Sequence, residues 1–186
     1  RTAEIIKSFN PEILTVFISR SLEEGKIYVQ SKFIDVSTYG EPEYTVLEIS
    51  KKVKKGDKKF SKVKGIIFRQ KREIIITPPR KIETNLDNFP IPERDLVLLK
   101  ERYPPSAFGV IEVGRGCIYS CSFCGESPPL RLRSPENIIR EIMIVQKKYG
   151  TKEFQFLITS LLHNPDWMKK FCRLVGKHKI SMIFGG

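Results

Sequence analysis

Strand and helix signals alternate after Phe108, and this order constrains the fold more than any other feature of the chain. A strand followed by a helix and a second parallel strand forms a right-handed unit. Two such units in succession predict the first part of a (β/α) barrel, cut after its third strand. The predicted strands are 109–113, 154–158 and 180–184, and the predicted helices are 135–149 and 165–177.

The first of these helices carries both of its end signals. Ser134 stands where an N-cap is expected, Pro135 occupies the first helical position, and Glu136 lies in the first turn. Gly150 follows the last residue of the apolar repeat, as glycine commonly does after a helix. The sequence therefore predicts a helix that begins directly after the loop preceding Ser134.

The residues before Phe108 divide into two segments of different character. Strand and helix signals alternate over 1–55, with strands at 13–18 and 33–36 and a helix after the turn Gly40-Glu-Pro-Glu43. Residues 56–106 contain a hairpin and then many prolines, with one short helix at 93–101. The predicted fold class is α/β: a partial Rossmann-like domain of the cobalamin-binding type (1–55), a hairpin and proline-rich linker (56–106), and a partial (β/α) barrel (107–186).

The net charge of +12 is concentrated in the lysine run 51–64. A solvated helix end and loop is the favoured interpretation, because nucleic-acid surfaces usually interleave aromatic residues and only Phe60 lies in this run. Nucleic acid is therefore an open but not favoured partner. No apolar stretch has the roughly 18 residues needed for a membrane span. Three of the four cysteines are clustered, which is unlike a disulfide framework and predicts a reducing compartment, the cytoplasm.

The clustered cysteines, Cys117, Cys121 and Cys124, have the spacing C-x3-C-x2-C. Thiolates are soft ligands that suit iron–sulfur clusters or zinc. Three local ligands leave one coordination position open, and Gly114, Gly116 and Gly125 would let the backbone approach a bulky inorganic core. The alternative is a zinc site completed by His163, Cys172 or His178. Packing in the core is the favoured role of Cys172.

This motif, with an aromatic residue before its last cysteine and a preceding strand, resembles the radical SAM (S-adenosylmethionine) superfamily over about 108–186. The resemblance implies that Cys117, Cys121 and Cys124 bind a 4Fe–4S cluster. It further implies that the open iron binds SAM and that the reduced cluster cleaves SAM to a 5′-deoxyadenosyl radical. The implied cofactor contacts are Phe123 and Gly125 in the loop, and Thr159 and Ser160 after the next strand.

A second set of motifs resembles the cobalamin-binding class of that superfamily. They are Gly40-Glu-Pro-Glu-Tyr-Thr45, Thr77-Pro-Pro-Arg80, the connector 86–95 and Arg131-Leu-Arg-Ser-Pro-Glu136. They occur in the order that the class shows. The resemblance implies cobalamin in the complete protein, although this chain has no D-x-H-x-x-G ligand motif.

The sequence thus predicts a radical SAM enzyme that needs an external one-electron reductant. Its substrate is a small or lipid-like molecule of unknown identity, and methyl transfer or rearrangement are both compatible outcomes. Two alternatives stay open: a methylthiotransferase acting on tRNA, and a zinc-stabilised nucleic-acid-binding module. Because the chain begins at Arg1 and ends at Gly186, we expect a piece of a longer protein that does not turn over alone.

Overall fold

The computed structural model describes residues 1–71, 73–124, 129–158, 164–181 and 183–185. The chain forms two compact units, Arg1–Ile82 and Glu83–Gly186. None of the helices in these described ranges combines the length and the apolar character that crossing a lipid bilayer requires.

The first unit is a four-stranded sheet with three helices. Along the chain the elements are α1 (Thr2–Phe9), β1 (Val16–Phe17), α2 (Leu22–Tyr28), β2 (Val36–Thr38), α3 (Glu43–Lys54), β3 (Ile66–Gln70) and β4 (Glu73–Ile76). The order across the sheet is β1-β2-β3-β4. Strands β1 and β2 are parallel, with Val16 opposite Val36, and the remaining neighbours are antiparallel.

The hairpin of β3 and β4 belongs to this sheet, whereas the sequence-based division placed it in a separate linker. Strand β3 pairs with β2 and brings Ile66 and Phe68 into the same core as Val36 and Ile49. Burial of that apolar face therefore joins the hairpin to the first unit. Apart from the place of this hairpin, the division into a cobalamin-type domain (1–55), a linker (56–106) and a partial barrel (107–186) remains a prediction.

The helices and strands of the second unit are β5 (Val110–Glu112), β6 (Gly114–Arg115), β7 (Arg131–Leu132), α4 (Pro135–Tyr149), β8 (Glu153–Leu157), α5 (Pro165–Lys177) and β9 (Ile183–Gly185). Strands β5, β8 and β9 form a parallel sheet in the order β5-β8-β9, with Ile111 opposite Phe156. Strands β6 and β7, which follow β5 in the chain, form a separate two-stranded antiparallel ribbon. The α/β class is thus confirmed, and the closure of these strands into part of a barrel remains a prediction.

Helix α4 begins and ends where its signals predicted. The Ser134 side chain accepts a hydrogen bond from the backbone N–H of Asn137, and Gly150 adopts the left-handed conformation at φ 72°. The inner face of α4 buries Ile138, Ile142 and Val145 in the core that also contains Ile111. This packing fixes α4 against the parallel sheet and places its first turn immediately after β7.

The predicted short helix at 93–101 is wrong. Two 3-10 turns, Arg94–Leu96 and Lys100–Arg102, occupy that stretch instead. Leu99 separates them with a left-handed backbone at φ 55°, a conformation that a continuous α-helix does not contain.

Candidate metal centre

The two ends of the cysteine-containing loop are joined by the antiparallel ribbon of β6 and β7, which we call the clamp. Gly114 pairs with Leu132 and Arg115 pairs with Arg131. Beyond the pair of Gly114 and Leu132, on the side away from the loop, the backbone N–H of Arg133 donates to the carbonyl oxygen of Val113 at 2.9 Å. The two ends of the loop are therefore held together directly after β5, at the carboxyl end of a parallel strand, where β/α proteins usually carry their active sites.

Two glycines make this clamp sterically feasible. A Cβ atom added to Gly114 would lie 2.6 Å from the carbonyl oxygen of Arg131 and 2.7 Å from a methyl carbon of Leu132. Gly116 has a φ of 77°, the left-handed region that glycine adopts without steric cost. The chain can thus cross its partner closely at Gly114 and turn out of the ribbon at Gly116, immediately before Cys117.

The three motif cysteines are free thiols. Cys117 is half-buried, whereas Cys121 and Cys124 are exposed. The backbone N–H of Tyr119 donates to Cys117 Sγ at 3.4 Å, and the N–H of Cys124 donates to the carbonyl oxygen of Cys121 at 3.1 Å. The second contact closes a tight turn over 121–124, and the two cysteines of this turn are the exposed ones.

The ligand chemistry fits a cluster, although the described side chains are not closed around a metal. Within the described ranges, no three His, Cys, Asp or Glu residues are grouped in an arrangement that would hold a metal ion. Three thiols in one loop are nevertheless the donor set that iron–sulfur clusters take. The assignment of Cys117, Cys121 and Cys124 as metal ligands remains a prediction.

The other predicted cofactor contacts have different standings. Phe123 is described, and the residue is 91% exposed in the turn. Gly125, Thr159 and Ser160 lie outside the described residues, as does His163. The contacts of Phe123, Gly125, Thr159 and Ser160 with SAM therefore remain predictions.

Two arginines at the loop ends are engaged by neighbouring groups. Arg115 forms a two-point ion pair with Glu112, at 2.8 and 3.1 Å, and its guanidinium lies 4.9 Å from the centre of the Phe89 ring. Arg131 donates to the carbonyl oxygen of Glu83 at 2.6 Å. Both side chains therefore anchor the clamp. Arg131 brings positive charge to the base of the cysteine loop, and Glu112 offsets the charge of Arg115.

Sequence reasoning missed a buried ionic triad beneath the clamp. Glu141, on the inner face of α4, has a side chain that is 1% exposed, and it pairs with Arg94 and Arg133 at 2.6 Å each. A signal was available, because Glu141 lies between Ile138 and Ile142 on the helix face that the apolar repeat assigns to the core.

The cobalamin-class motifs of the first unit contact one another. Arg80, which ends Thr77-Pro-Pro-Arg80, donates from Nε to Thr45 Oγ1 at 2.9 Å and pairs with Glu48. Thr45 in turn donates to the carbonyl oxygen of Lys64 at 3.2 Å. These residues hold the start of α3 to the chain segments on either side of the hairpin, which is a structural role within the unit.

Cys172 is not part of the core, contrary to the expectation from the sequence. It is exposed, whereas the preceding residue, Phe171, is 2% exposed. Successive helical residues are rotated by about 100°, so the residue that follows a fully buried one usually leaves the core. Cys172 therefore provides an exposed thiol outside the cysteine loop.

Proteins with related sequences are longer than this chain. An uncharacterised methyltransferase of Pyrococcus horikoshii is 28% identical over 189 residues, covering 83% of this chain and 41% of that protein. The cobalamin-dependent radical SAM methyltransferase TokK of Streptomyces tokunonensis is 25% identical over 132 residues, covering 67% of this chain and 19% of that protein. No protein-family profile matches the chain.

Solved structures with a similar fold cover nearly the whole chain. The cobalamin-dependent SAM radical enzyme OxsB, with aqua-cobalamin and SAM bound, matches 97% of this chain and 27% of its own with a TM-score of 0.74 and 20% identity. The radical SAM methyltransferase TsrM from Kitasatospora setae, with cobalamin and a 4Fe–4S cluster bound, matches 96% and 36% with a TM-score of 0.65 and 14% identity. The resemblance expected from the sequence motifs is therefore confirmed.

Proposed function

We propose that this chain, which is a relative of the cobalamin-binding radical SAM class, is part of a radical SAM enzyme. In this proposal Cys117, Cys121 and Cys124 bind a 4Fe–4S cluster, and the reaction begins with reductive cleavage of SAM. The observation that carries the proposal is a loop of three free thiols closed by a two-stranded clamp at the carboxyl end of β5. When bound, such a cluster supplies one electron from an external reductant to SAM.

The number of thiols supports an open iron. A structural cluster or zinc site is closed by four ligands, and three thiols leave one position for another molecule. The exposed ring of Phe123 is available for contact with an adenine, because an aromatic side chain can stack on a nucleobase. In the proposal Gly125, Thr159 and Ser160 complete the contacts to SAM.

The charges at the loop base suit an anionic cofactor. A 4Fe–4S centre with thiolate ligands and the SAM carboxylate both bring negative charge. Arg131 holds positive charge at one end of the loop and is fixed by the carbonyl oxygen of Glu83, whereas the charge of Arg115 is offset by its ion pair with Glu112. This arrangement lowers the electrostatic cost of assembling the anionic ligands.

Cobalamin is proposed for the complete protein. The motif residues of the first unit are engaged in hydrogen bonds within that unit, so they support its fold rather than assign a ligand. The substrate is likewise not assigned to any described residue. A cytoplasmic location remains a prediction from cysteine usage.

The test is iron binding and its response to SAM after anaerobic reconstitution and reduction of the protein. We expect a 4Fe–4S electron paramagnetic resonance spectrum that changes when SAM is added. Cys121→Ser should lose most of the iron, and Cys172→Ser, which removes the exposed thiol of α5, should retain it. Equal iron in both variants, or zinc in place of iron after anaerobic expression, would contradict the proposal.

A further inference from the structure

We propose that the buried triad of Arg94, Glu141 and Arg133 positions the cysteine loop by holding its two ends in register. The inference rests on the proposed function, since it assigns a role toward the same loop. Arg133 is a positioning residue: it acts through the loop ends and is not itself proposed to touch the cluster.

The triad is an ion network inside the second unit. One carboxylate oxygen of Glu141 lies 2.6 Å from Nη2 of Arg94, and the other lies 2.6 Å from Nη2 of Arg133. The side chains of Glu141, Arg94 and Arg133 are 1%, 11% and 9% exposed, respectively. A single carboxylate therefore pairs with two guanidinium groups away from water. One of its oxygens accepts a hydrogen bond from Arg94, whereas the other contacts Arg133 as an ion pair without a hydrogen bond.

Arg133 links this network to both ends of the loop. Its backbone N–H donates to the carbonyl oxygen of Val113 and its Nη1 to that of Glu112, at 2.9 and 2.8 Å. Its Nε donates to Asn137 Oδ1 at 3.0 Å, and its own carbonyl oxygen accepts from the indole N–H of Trp167 at 2.6 Å. Arg133, the residue that follows β7, thus ties this end of the loop to the end of β5.

Arg94 makes the matching contact at the start of the same strand. Its Nη2 donates to the carbonyl oxygen of Val110 at 2.8 Å. Glu141 therefore connects the first and last residues of β5, through two arginines, to helix α4. Because the clamp begins two residues after β5, a shift of β5 relative to α4 would also shift the pairing of Gly114 with Leu132.

The energetics favour positioning over simple stabilisation. Burying charges costs desolvation energy, and replacing a buried ion network by apolar residues is often neutral or stabilising. The site lies between Ile138 and Ile142 in an apolar core, where another aliphatic residue would bury its surface without that cost. What the triad provides, and an aliphatic residue does not, is directional bonding to two strand carbonyl groups.

The register of the clamp determines where the first thiol lies. Cys117 is two residues beyond Arg115, the last paired residue of β6, and it is half-buried where the other two motif cysteines are exposed. A loosened clamp should therefore expose Cys117. This effect is measurable without a bound metal.

The test compares Glu141→Gln with two controls in the metal-free, reduced protein, using mass spectrometry to follow alkylation of each cysteine. Glu136→Gln is matched in charge, because Glu136 pairs with Lys170 at 2.8 Å on the exposed side of the same helix. Val145→Ala is a stability control, because it removes core volume from α4 at a residue that lies outside the triad. We expect several-fold faster alkylation of Cys117 in Glu141→Gln alone, with Cys172 unchanged in all three.

The same proteins are then reconstituted with iron under anaerobic conditions. Glu141→Gln should bind less 4Fe–4S cluster than Glu136→Gln and Val145→Ala. Equal alkylation and equal iron loading in Glu141→Gln and its controls would overturn the inference while leaving the proposed function in place. Absence of iron from the unsubstituted protein would contradict the proposed function, and the alkylation comparison would still test the triad.

Arg133→Lys is the second variant, in case Glu141→Gln does not fold. It keeps the positive charge and the backbone bond to Val113 but removes the guanidinium that reaches Glu112 and Glu141 together. Faster alkylation of Cys117 in a protein that still unfolds cooperatively would support positioning. Alkylation at the unsubstituted rate would overturn it.

Discussion

A Cβ atom on Gly114 would lie 2.6 Å from the carbonyl oxygen of Arg131. That oxygen belongs to the backbone of the opposing clamp strand, so it has little freedom to move aside. The two ends of the cysteine loop therefore approach more closely than any residue other than glycine allows at this position.

Replacing Gly114 by alanine should destabilise the second unit by about 1–3 kcal/mol, the usual cost of inserting a methyl group into a tightly packed site. Denaturant unfolding measures this change. Gly176→Ala is the control, since Gly176 lies in α5 and a Cβ atom added there would meet nothing within 4 Å, and alanine favours a helix interior by roughly 0.5–1 kcal/mol. Equal stability of the two variants would show that the clamp relaxes to admit a side chain.

Ser134→Ala should cost about 1 kcal/mol, because it removes the oxygen that accepts the Asn137 N–H at 3.1 Å at the start of α4. The free energy of unfolding of the purified protein is the measurement. Ser134→Thr keeps an N-cap hydroxyl and should recover most of the loss. A threonine variant as unstable as the alanine variant would indicate that packing, and not capping, is responsible.

Phe123→Ala should leave the free energy of unfolding within about 0.5 kcal/mol of the original value, because the residue is 91% exposed. The spectroscopic response of the reconstituted cluster to SAM should weaken if this ring contacts the adenine. Phe9→Ala, at an 85% exposed ring of the first unit, is the matched control and should preserve that response. Identical SAM titrations for the two variants would remove Phe123 from the site.

Acid should weaken the contact between the connector and the end of α4. Hydrogen bonds from Lys148 and Lys100 hold the pKa of Asp95 at about 2, below its ordinary value of 3.8. Since the folded-state pKa is the lower one, the ionised carboxylate contributes stability that is present above pH 3.8 and is lost as the pH falls toward about 2.

The measurement for Asp95 is the free energy of unfolding of the original protein and of Asp95→Asn as a function of pH. The difference between them should shrink across that interval. It should also shrink in concentrated salt, because these groups are exposed and salt screens their attraction. A difference independent of both pH and salt would assign the effect of Asp95 to its shape and not to its charge.

Local signals predicted the helices that border the loop better than the elements elsewhere. Ser134 and Gly150 mark the ends of α4 because caps act on neighbouring backbone groups. The sequence does not predict helix α2, because Gly25 disfavours a helix. In the fold Gly25 allows close packing, since a Cβ atom there would lie 2.8 Å from a methyl carbon of Ile67. Such a contact depends on a strand far along the chain.

The candidate site was predictable in its ligands and not in its support. The spacing of Cys117, Cys121 and Cys124 is local, so the sequence displays it directly. The triad around Glu141 joins residues that are 47 positions apart in the chain, such as Arg94. Only the folded arrangement of β5 and α4 shows that their charges meet.

The clamp of β6 and β7 also bears on how iron would be captured. Closing a flexible loop has an entropic cost that grows slowly with its length, and here the folded chain closes the loop through the pairing of Arg115 with Arg131. The segment that carries the three thiols is therefore held at both ends before any metal binds, although its described side chains are not grouped for coordination. In the proposed enzyme, the conformational cost of binding iron and sulfide would then be the ordering of the cysteine turn, and not the closure of the loop.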